Sequence, residues 1–218
     1  MTTSAHAAYL DTLRQQMVDA QLRARGIRDE RVLAAMTRVP RHAFAPEPYR
    51  DQAYEDHPLP IAEGQTISQP YIVAVMLEYV APLPGDRVLE VGTGSGYVTA
   101  LLAGLAGMVI SIERHASLAN SARELLAGMG YPNASVVTGD GTQGFPQCAP
   151  YDAIIVSAAA PEVPRALLDQ LSEGGRMVIP VGQYDSQQLQ LIRMEGGQPR
   201  TILRDLCRFV PLISEGQA

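Results

Sequence analysis

The sequence predicts an α/β protein built on a doubly wound, mostly parallel sheet, with an N-terminal helical and loop extension and an antiparallel C-terminal hairpin. Three observations carry that prediction. From Asp86 onward, apolar runs of strand length alternate with stretches of helical periodicity, the order that buries helices on both faces of one sheet. Within that order, DAIIVS is apolar or small at nearly every position, as strands covered on both faces are. The first strand, RVLEVG, runs straight into the glycine-rich loop Gly92-Thr93-Gly94-Ser95-Gly96 ahead of a helix, at the strand end where such sheets hold their ligands.

Taken in order, Leu10, Leu13, Met17 and Leu22 recur at helical spacing, and Gly26 predicts the end of that helix. Asp29 has the chemistry of an N-cap for a second helix carrying Val32, Leu33, Met36 and Val39, which stops before Pro40. Between Pro40 and Gly64 there is no steady period, and the stretch is expected to wrap the surface, extended near Pro58 and Pro60. YIVAVMLEYV, apolar on most faces, predicts a buried helix. The core then reads RVLEVG strand, YVTALLAGL helix, MVISIE strand, SLANSARELLAGMG helix, SVVTGD strand, DAIIVS strand, PRALLDQL helix and GRMVIPVG strand. LQLIRME and TILRDLCRFVPL follow with no long helix between them, which predicts the antiparallel hairpin. One domain over 1–218 is expected, with residues 1–82 forming the N-terminal layer and 83–218 the cofactor-binding core.

Composition narrows the chemistry. The chain has 218 residues, 46% of them hydrophobic, and a formal net charge of -6. All 17 basic residues are arginine, so a Schiff-base lysine and a phosphate-binding lysine loop are excluded. The acidic balance argues against a general grip on nucleic acid, and no stretch is long and apolar enough to predict a membrane span. Cys148 and Cys207 form no ligand cluster with the scattered His6, His42, His57 and His115, so no metal is expected. These histidines and cysteines are read as packing or surface residues. Reduced thiols and the lack of a signal-peptide pattern predict a cytoplasmic protein.

The glycine loop is spaced GxGxG, with Tyr97 where a dinucleotide fingerprint would place its third glycine. Glu90, two residues ahead of the loop, would repel a diphosphate but not a cationic or zwitterionic ligand. Glu113 closes the second strand, where a carboxylate can accept both ribose hydroxyls. Asp140-Gly141 closes the third and can turn the chain around an adenine edge. Each feature alone has a plain alternative: a tight turn, a solvated glutamate, an ordinary Asp-Gly turn. Their order on successive strands predicts a nucleoside cofactor, S-adenosylmethionine ahead of NAD, held by Glu90, Gly92, Thr93, Gly94, Ser95, Glu113, Asp140 and Gly141. Gly94-Ser95-Gly96 does not supply the G-x-S-x-G of a serine hydrolase.

Gly64-Gln65-Thr66-Ile67-Ser68-Gln69-Pro70 matches no nucleophile signature. Pro70 biases Gln69 toward extended backbone, and an extended segment projects Thr66 and Ser68 to one side and Ile67 to the other. Hydroxyls and backbone N–H groups on one side suit a carboxylate; a polar loop capping the next helix through Ser68 is the alternative.

These motifs, with DRVLEVGTGSGYVTALLA, AYEDHPLPIAEGQTISQPYIVAVM, MVDAQLRARGIRDERVLAAMTRVPRHAF, GDG, YDAIIVSAAAPEVPRALLDQLSEGGRMVIPVG and RFVPL, resemble the protein-L-isoaspartate O-methyltransferases over nearly the whole chain. GQTISQP is the most specific piece, since Rossmann-like class I methyltransferases in general share only the glycine loop. Tyr71 stands where some relatives have histidine. The resemblance implies methyl transfer from S-adenosylmethionine, leaving S-adenosylhomocysteine, to the free α-carboxylate of isoaspartyl residues in peptides and proteins. Spontaneous succinimide formation follows outside the enzyme and begins repair. It further implies Ser68 as the orienting catalytic residue, a substrate site of Gln65, Thr66, Ile67, Ser68, Ala159 and Val210, and a monomer. Ala158, Ala159 and Ala160 would leave room for a peptide backbone, or pack closely against a helix. The readings to set against this one are the same architecture acting on another carboxylate or small molecule, and a non-catalytic adenosylmethionine-binding interaction module.

Overall fold

The computed structural model describes residues 3–183 and 186–214. Helix α1 (Thr3–Gln16) runs without interruption into a π-helical turn at Met17–Leu22 and a 3-10 turn at Arg23–Arg25. The sequence predicts a plain helix here, and the difference lies in packing. Met17, Val18 and Leu22 are all buried, and a π turn brings residues five apart over one another, so Met17 and Leu22 share the inner face. Gly26, with φ of 102°, ends the segment as expected. Helix α2 (Glu30–Arg38) starts at Asp29, whose side chain accepts the Arg31 N–H at 2.8 Å. Its Val32, Leu33, Ala35 and Met36 are buried.

The stretch from Pro40 to Gly64 corrects the expectation of a surface wrap. Arg41, Phe44, Ala53, Tyr54 and Leu59 are buried. The 3-10 turn Arg41–Phe44 buries Arg41 and Phe44 three residues apart, a spacing that neither the helical nor the strand period would reveal, while a second 3-10 turn, Glu47–Gln52, buries none of its own residues and leads into the buried Ala53 and Tyr54. Arg41 Nε donates to Ala53 O at 2.7 Å, and the guanidinium sits 5.2 Å from the centre of the Tyr97 ring. Strands β1 (Leu59–Pro60) and β2 (Thr66–Ile67) then pair antiparallel, Leu59 opposite Ile67. Helix α3 (Pro70–Val80) begins on proline, whose missing N–H costs a helix nothing in its first turn.

The core follows as β3 (Arg87–Val91), α4 (Tyr97–Ala103), β4 (Met108–Glu113), α5 (Ala116–Gly128), β5 (Ala134–Thr138), β6 (Tyr151–Val156), α6 (Arg165–Asp169), β7 (Leu171–Gln183), β8 (Ser186–Glu195) and β9 (Gln198–Cys207). The sheet order is β5-β4-β3-β6-β7-β8-β9. Strands β3 to β7 run parallel, while β8 and β9 each pair antiparallel with the strand before them. The winding therefore reverses between β3 and β6, and a ligand crevice is expected above their C-terminal ends. Helix α3 covers β6 and β7 and carries the N-terminal helices on its outer side. Arg176 of β7 locks this layer down: it donates to Val80 O at 2.9 Å and Ala81 O at 2.7 Å, and pairs with Asp86 at 2.6 Å.

The strand read through TILRDLCRFVPL breaks at Cys207. Beyond it, the chain leaves the sheet edge and runs beside the loop after β6. Ala159 N donates to Val210 O at 2.8 Å and Leu212 N to Ala159 O at 2.7 Å. That short ladder places the C-terminal segment at the crevice.

Candidate functional site

A cleft with roughly 870 Å³ of atom-free space opens above the C-terminal ends of β3, β4 and β6. One wall comes from the sheet. After Val91 the chain turns through Gly92, Gly94 and Gly96 with φ of 92°, 54° and 88°, a left-handed path that side chains disfavour. The loop is anchored to β4, because Gly92 N and Thr93 N both donate to Ile112 O, at 2.8 and 3.2 Å. Gly92, Thr93, Gly94, Ser95, Glu113 and Gly141 line the cleft. Gly141 is also a close-approach position, since a Cβ there would collide with the Val91 side chain.

Glu113 is buried, and each of its oxygens takes one backbone N–H: Oε2 from Gly94 and Oε1 from His115, both at 2.9 Å. Each oxygen keeps a further acceptor site for a ligand hydroxyl. Glu90 lies elsewhere. It is fully buried beneath the loop, absent from the cleft lining, and accepts from Thr99 Oγ1 at 2.5 Å and Ser111 Oγ at 2.6 Å. Ser111 is its register partner on β4 and in turn meets Thr93 Oγ1 at 2.5 Å. Burial pushes the Glu90 carboxyl up to about 7; the Ser111 and Thr99 hydroxyls oppose the shift and the charge of Glu113 adds to it. A direct ligand contact is therefore replaced by support of the loop from below. Asp140 also stands back from the lining and caps the turn that presents Gly141, accepting from Thr142 N at 2.8 Å and Thr142 Oγ1 at 2.7 Å.

The facing wall is the GQTISQP segment. Gln65, Thr66, Ile67 and Ser68 line the cleft, and so does Val210 from the C-terminal segment. Ile67 is buried against Leu59 while Thr66 is exposed, the alternation expected of extended backbone. The cap position of α3 belongs to Gln69, which makes no side-chain cap bond and donates to Asp56 O at 3.0 Å instead. Ser68 is thus not the capping residue. Ala159 is buried behind the wall, and Ala158 takes its place on the lining.

Gln65, Thr66, Ser68, Ser157, Val210 and Pro211 also line a second, wider groove. It extends between α3 and the end of β9, past Tyr71, Ile72, Val75, Leu206 and Phe209. Tyr71 carries the Arg25 guanidinium 3.5 Å above its ring, and Arg25 pairs with Asp56 at 2.5 Å. The position that bears histidine in some relatives serves here as an aromatic platform.

Sequence reasoning missed Ser157 and His115. Ser157 directly follows β6 at the winding reversal, so the topological rule could have found it once the strand order was known. His115 lies two residues beyond Glu113 and was read as packing, yet it lines the cleft with Nε2 buried and without a protein partner among the described residues. The residues present fit an adenosyl cofactor: paired acceptor sites on Glu113, a loop without side chains at three positions, and an orphaned ring nitrogen on the same wall. Among the described residues no metal-binding cluster of His, Cys, Asp or Glu exists.

The sequence profile of the protein-L-isoaspartate(D-aspartate) O-methyltransferase family matches residues 12–217. A protein-L-isoaspartate O-methyltransferase of Methanoculleus marisnigri is 58% identical over 203 residues, covering 93% of this chain and 92% of that one. Among solved structures, a protein-L-isoaspartate O-methyltransferase superposes with a TM-score of 0.83 at 30% identity, over 91% of this chain and 65% of that longer one. A Plasmodium falciparum structure of the same description, in complex with S-adenosyl-L-homocysteine, gives a TM-score of 0.80 at 28% identity and covers 92% of this chain and 98% of that one.

Proposed function

The chain belongs to the protein-L-isoaspartate(D-aspartate) O-methyltransferase family, and from that membership we infer that it methylates the free α-carboxylate of L-isoaspartyl residues in damaged proteins, using S-adenosylmethionine. The observation that carries this reading at the level of the site is the shared wall. Gln65, Thr66 and Ser68 face both the nucleoside-sized cleft and the wider groove, so a donor in one and a polypeptide in the other would meet at these residues.

The division of labour follows from charge. An α-carboxyl ionises near pH 3.5, so at neutral pH the nucleophile is formed without a general base, and the site needs none. The sulfonium of the bound cofactor supplies the methyl group as electrophile. The hydroxyls of Ser68 and Thr66 hold the carboxylate and aim one oxygen, with Gln65 and Ile67 shaping the loop around it. Ala158 leaves space beside the reacting atoms, and Val210 and Pro211 cover them, excluding water that would otherwise solvate the carboxylate. On the cofactor side, Glu113 would accept the ribose hydroxyls, the Gly92–Gly96 backbone would hold the amino-acid portion, and Gly141 would border the adenine. Glu90 and Asp140 act one step behind, and Ala159 holds Val210 in place through its backbone.

No described helix is long and apolar enough to cross a membrane, and the two cysteines are free thiols. The free thiols suit a reducing compartment, and on that ground we take the enzyme to be cytoplasmic. The formal charge of -6 supports polypeptide rather than nucleic acid as substrate. We take the chain as a single domain working as a monomer, with one apolar cluster running from Leu10 through α3 into the sheet at Val178.

The test is transfer of a labelled methyl group to two peptides identical except for an isoaspartyl or a normal aspartyl linkage. A base-labile label on the isoaspartyl peptide alone is the expected result. Equal labelling of both would assign the chain to another carboxylate, and binding of S-adenosylhomocysteine without any transfer would make it a binding module.

A further inference from the structure

Glu63 precedes the GQTISQP segment and adopts φ 59° and ψ 22°, the left-handed conformation that a side chain normally avoids. Strain of this kind persists where the surroundings hold it. Here the carboxylate reaches the start of α5. Its Oε1 accepts Ser117 Oγ at 2.6 Å, and its Oε2 lies 3.7 Å from His115 Nδ1. The backbone N–H of the same histidine is bound to Glu113. One residue is therefore tied to both walls at once.

The imidazole also presents its second nitrogen to the cleft, and a neutral ring can donate or accept there according to which nitrogen carries the proton. Nε2 is buried on the cleft lining, and no described residue pairs with it. A buried unpaired nitrogen is unfavourable until a hydrogen-bonding partner reaches it, and a nucleoside carries such partners in its ring nitrogens, its amino group and its ribose hydroxyls.

We propose that His115 contacts the nucleoside end of the cofactor through Nε2, and that Glu63 positions it, so that cofactor binding and closure of the substrate loop are coupled. The proposal rests on the cofactor reading above and adds to it a recognition residue and a positioning residue. By reciprocity, whatever loosens the Glu63 contact weakens the cofactor, and the bound cofactor tightens the loop.

Calorimetric titration of S-adenosylhomocysteine, with steady-state kinetics on the isoaspartyl peptide, tests it in the full chain. His115→Ala should weaken binding and raise the KM for S-adenosylmethionine about tenfold, or about 1.4 kcal/mol, with kcat held within roughly twofold. His115→Gln, which keeps a hydrogen-bonding group near the Nε2 position, should recover part of that loss. Glu63→Gly suits the left-handed turn while removing the carboxylate, and should weaken the cofactor in the same direction by about threefold. If His115→Ala binds as the parent does, His115 is a packing residue and the proposal fails. If it weakens binding while Glu63→Gly does not, the coupling fails. If the unaltered chain binds no S-adenosylhomocysteine, the cofactor reading itself falls, a result separable from both.

Discussion

The two walls of the cleft are built in opposite ways. The cofactor wall grows out of the sheet: its loop is hydrogen-bonded to β4, its carboxylate is gripped by two backbone N–H groups, and the buried Glu90, Ser111, Thr93 and Thr99 form a polar layer under it. The substrate wall hangs on a ribbon of two residues per strand, a left-handed turn, and contacts from Glu63 to the first turn of α5 and from Gln69 to the Asp56 carbonyl. On the proposed assignment of the two walls, a small molecule that is the same at every turnover meets the part of the fold hardest to deform, and a polypeptide that differs at every encounter meets the part with the fewest anchors, the kind of segment that opens at low cost.

Three substitutions would break or sharpen this contrast. Gly94→Val strikes the sheet-built wall, where φ is 54° and the loop backbone must lie against the ligand. It should cost S-adenosylhomocysteine affinity about 100-fold or more, since both backbone strain and the added side chain oppose binding. Normal binding by a folded variant, measured by calorimetry, would show that the loop does not hold the cofactor. Ser68→Ala strikes the other wall. It should lower kcat by about 10- to 100-fold while cofactor affinity stays within about twofold, the signature of a group acting on the reacting carboxylate. An unchanged rate would remove Ser68 from the mechanism.

The smallest effect on activity is expected beneath the cofactor wall. The Glu90 carboxyl is raised from 4.5 to about 7, so in this window the folded chain keeps a proton that the unfolded chain releases. Its contribution to stability is fully present below pH 4.5 and is lost as pH rises through about 7, a span on the order of 3 kcal/mol. Glu90→Gln cannot ionise but can still accept from Ser111 and Thr99. Urea unfolding of the two proteins at pH 5 and pH 8 should show the variant gaining on its parent at the higher pH. Parallel pH profiles would mean that the carboxyl titrates normally and that the polar layer is looser than its geometry implies.

Much of the architecture was legible in residue order. The alternation after Asp86 marks the strands and helices of the core, GxGxG marks the ligand loop, and Glu113 falls at the strand end that faces it. The misses have separate causes. Met17–Leu22 and Arg41–Phe44 bury side chains at π and 3-10 spacings, which no helical or strand period registers. Phe209–Leu212 continues an apolar run without a break in pattern, yet the chain leaves the sheet there because Ala159 offers it a new ladder. Glu90 stands two residues from the ligand loop, but strand alternation turns its side chain inward, toward a serine 21 positions away.

The sequence alone determined the sheet's class, the place of the glycine loop after its first strand and the extended course of GQTISQP, because periodicity, glycine placement and a local motif are properties of near neighbours. Only the tertiary structure decided which of the candidate residues share a cavity. Thr66, His115, Ser157 and Val210 come from four separate stretches of chain, and what brings them to one cleft is strand order and the packing of loops upon it. Those are long-range contacts, whose partners no local pattern names.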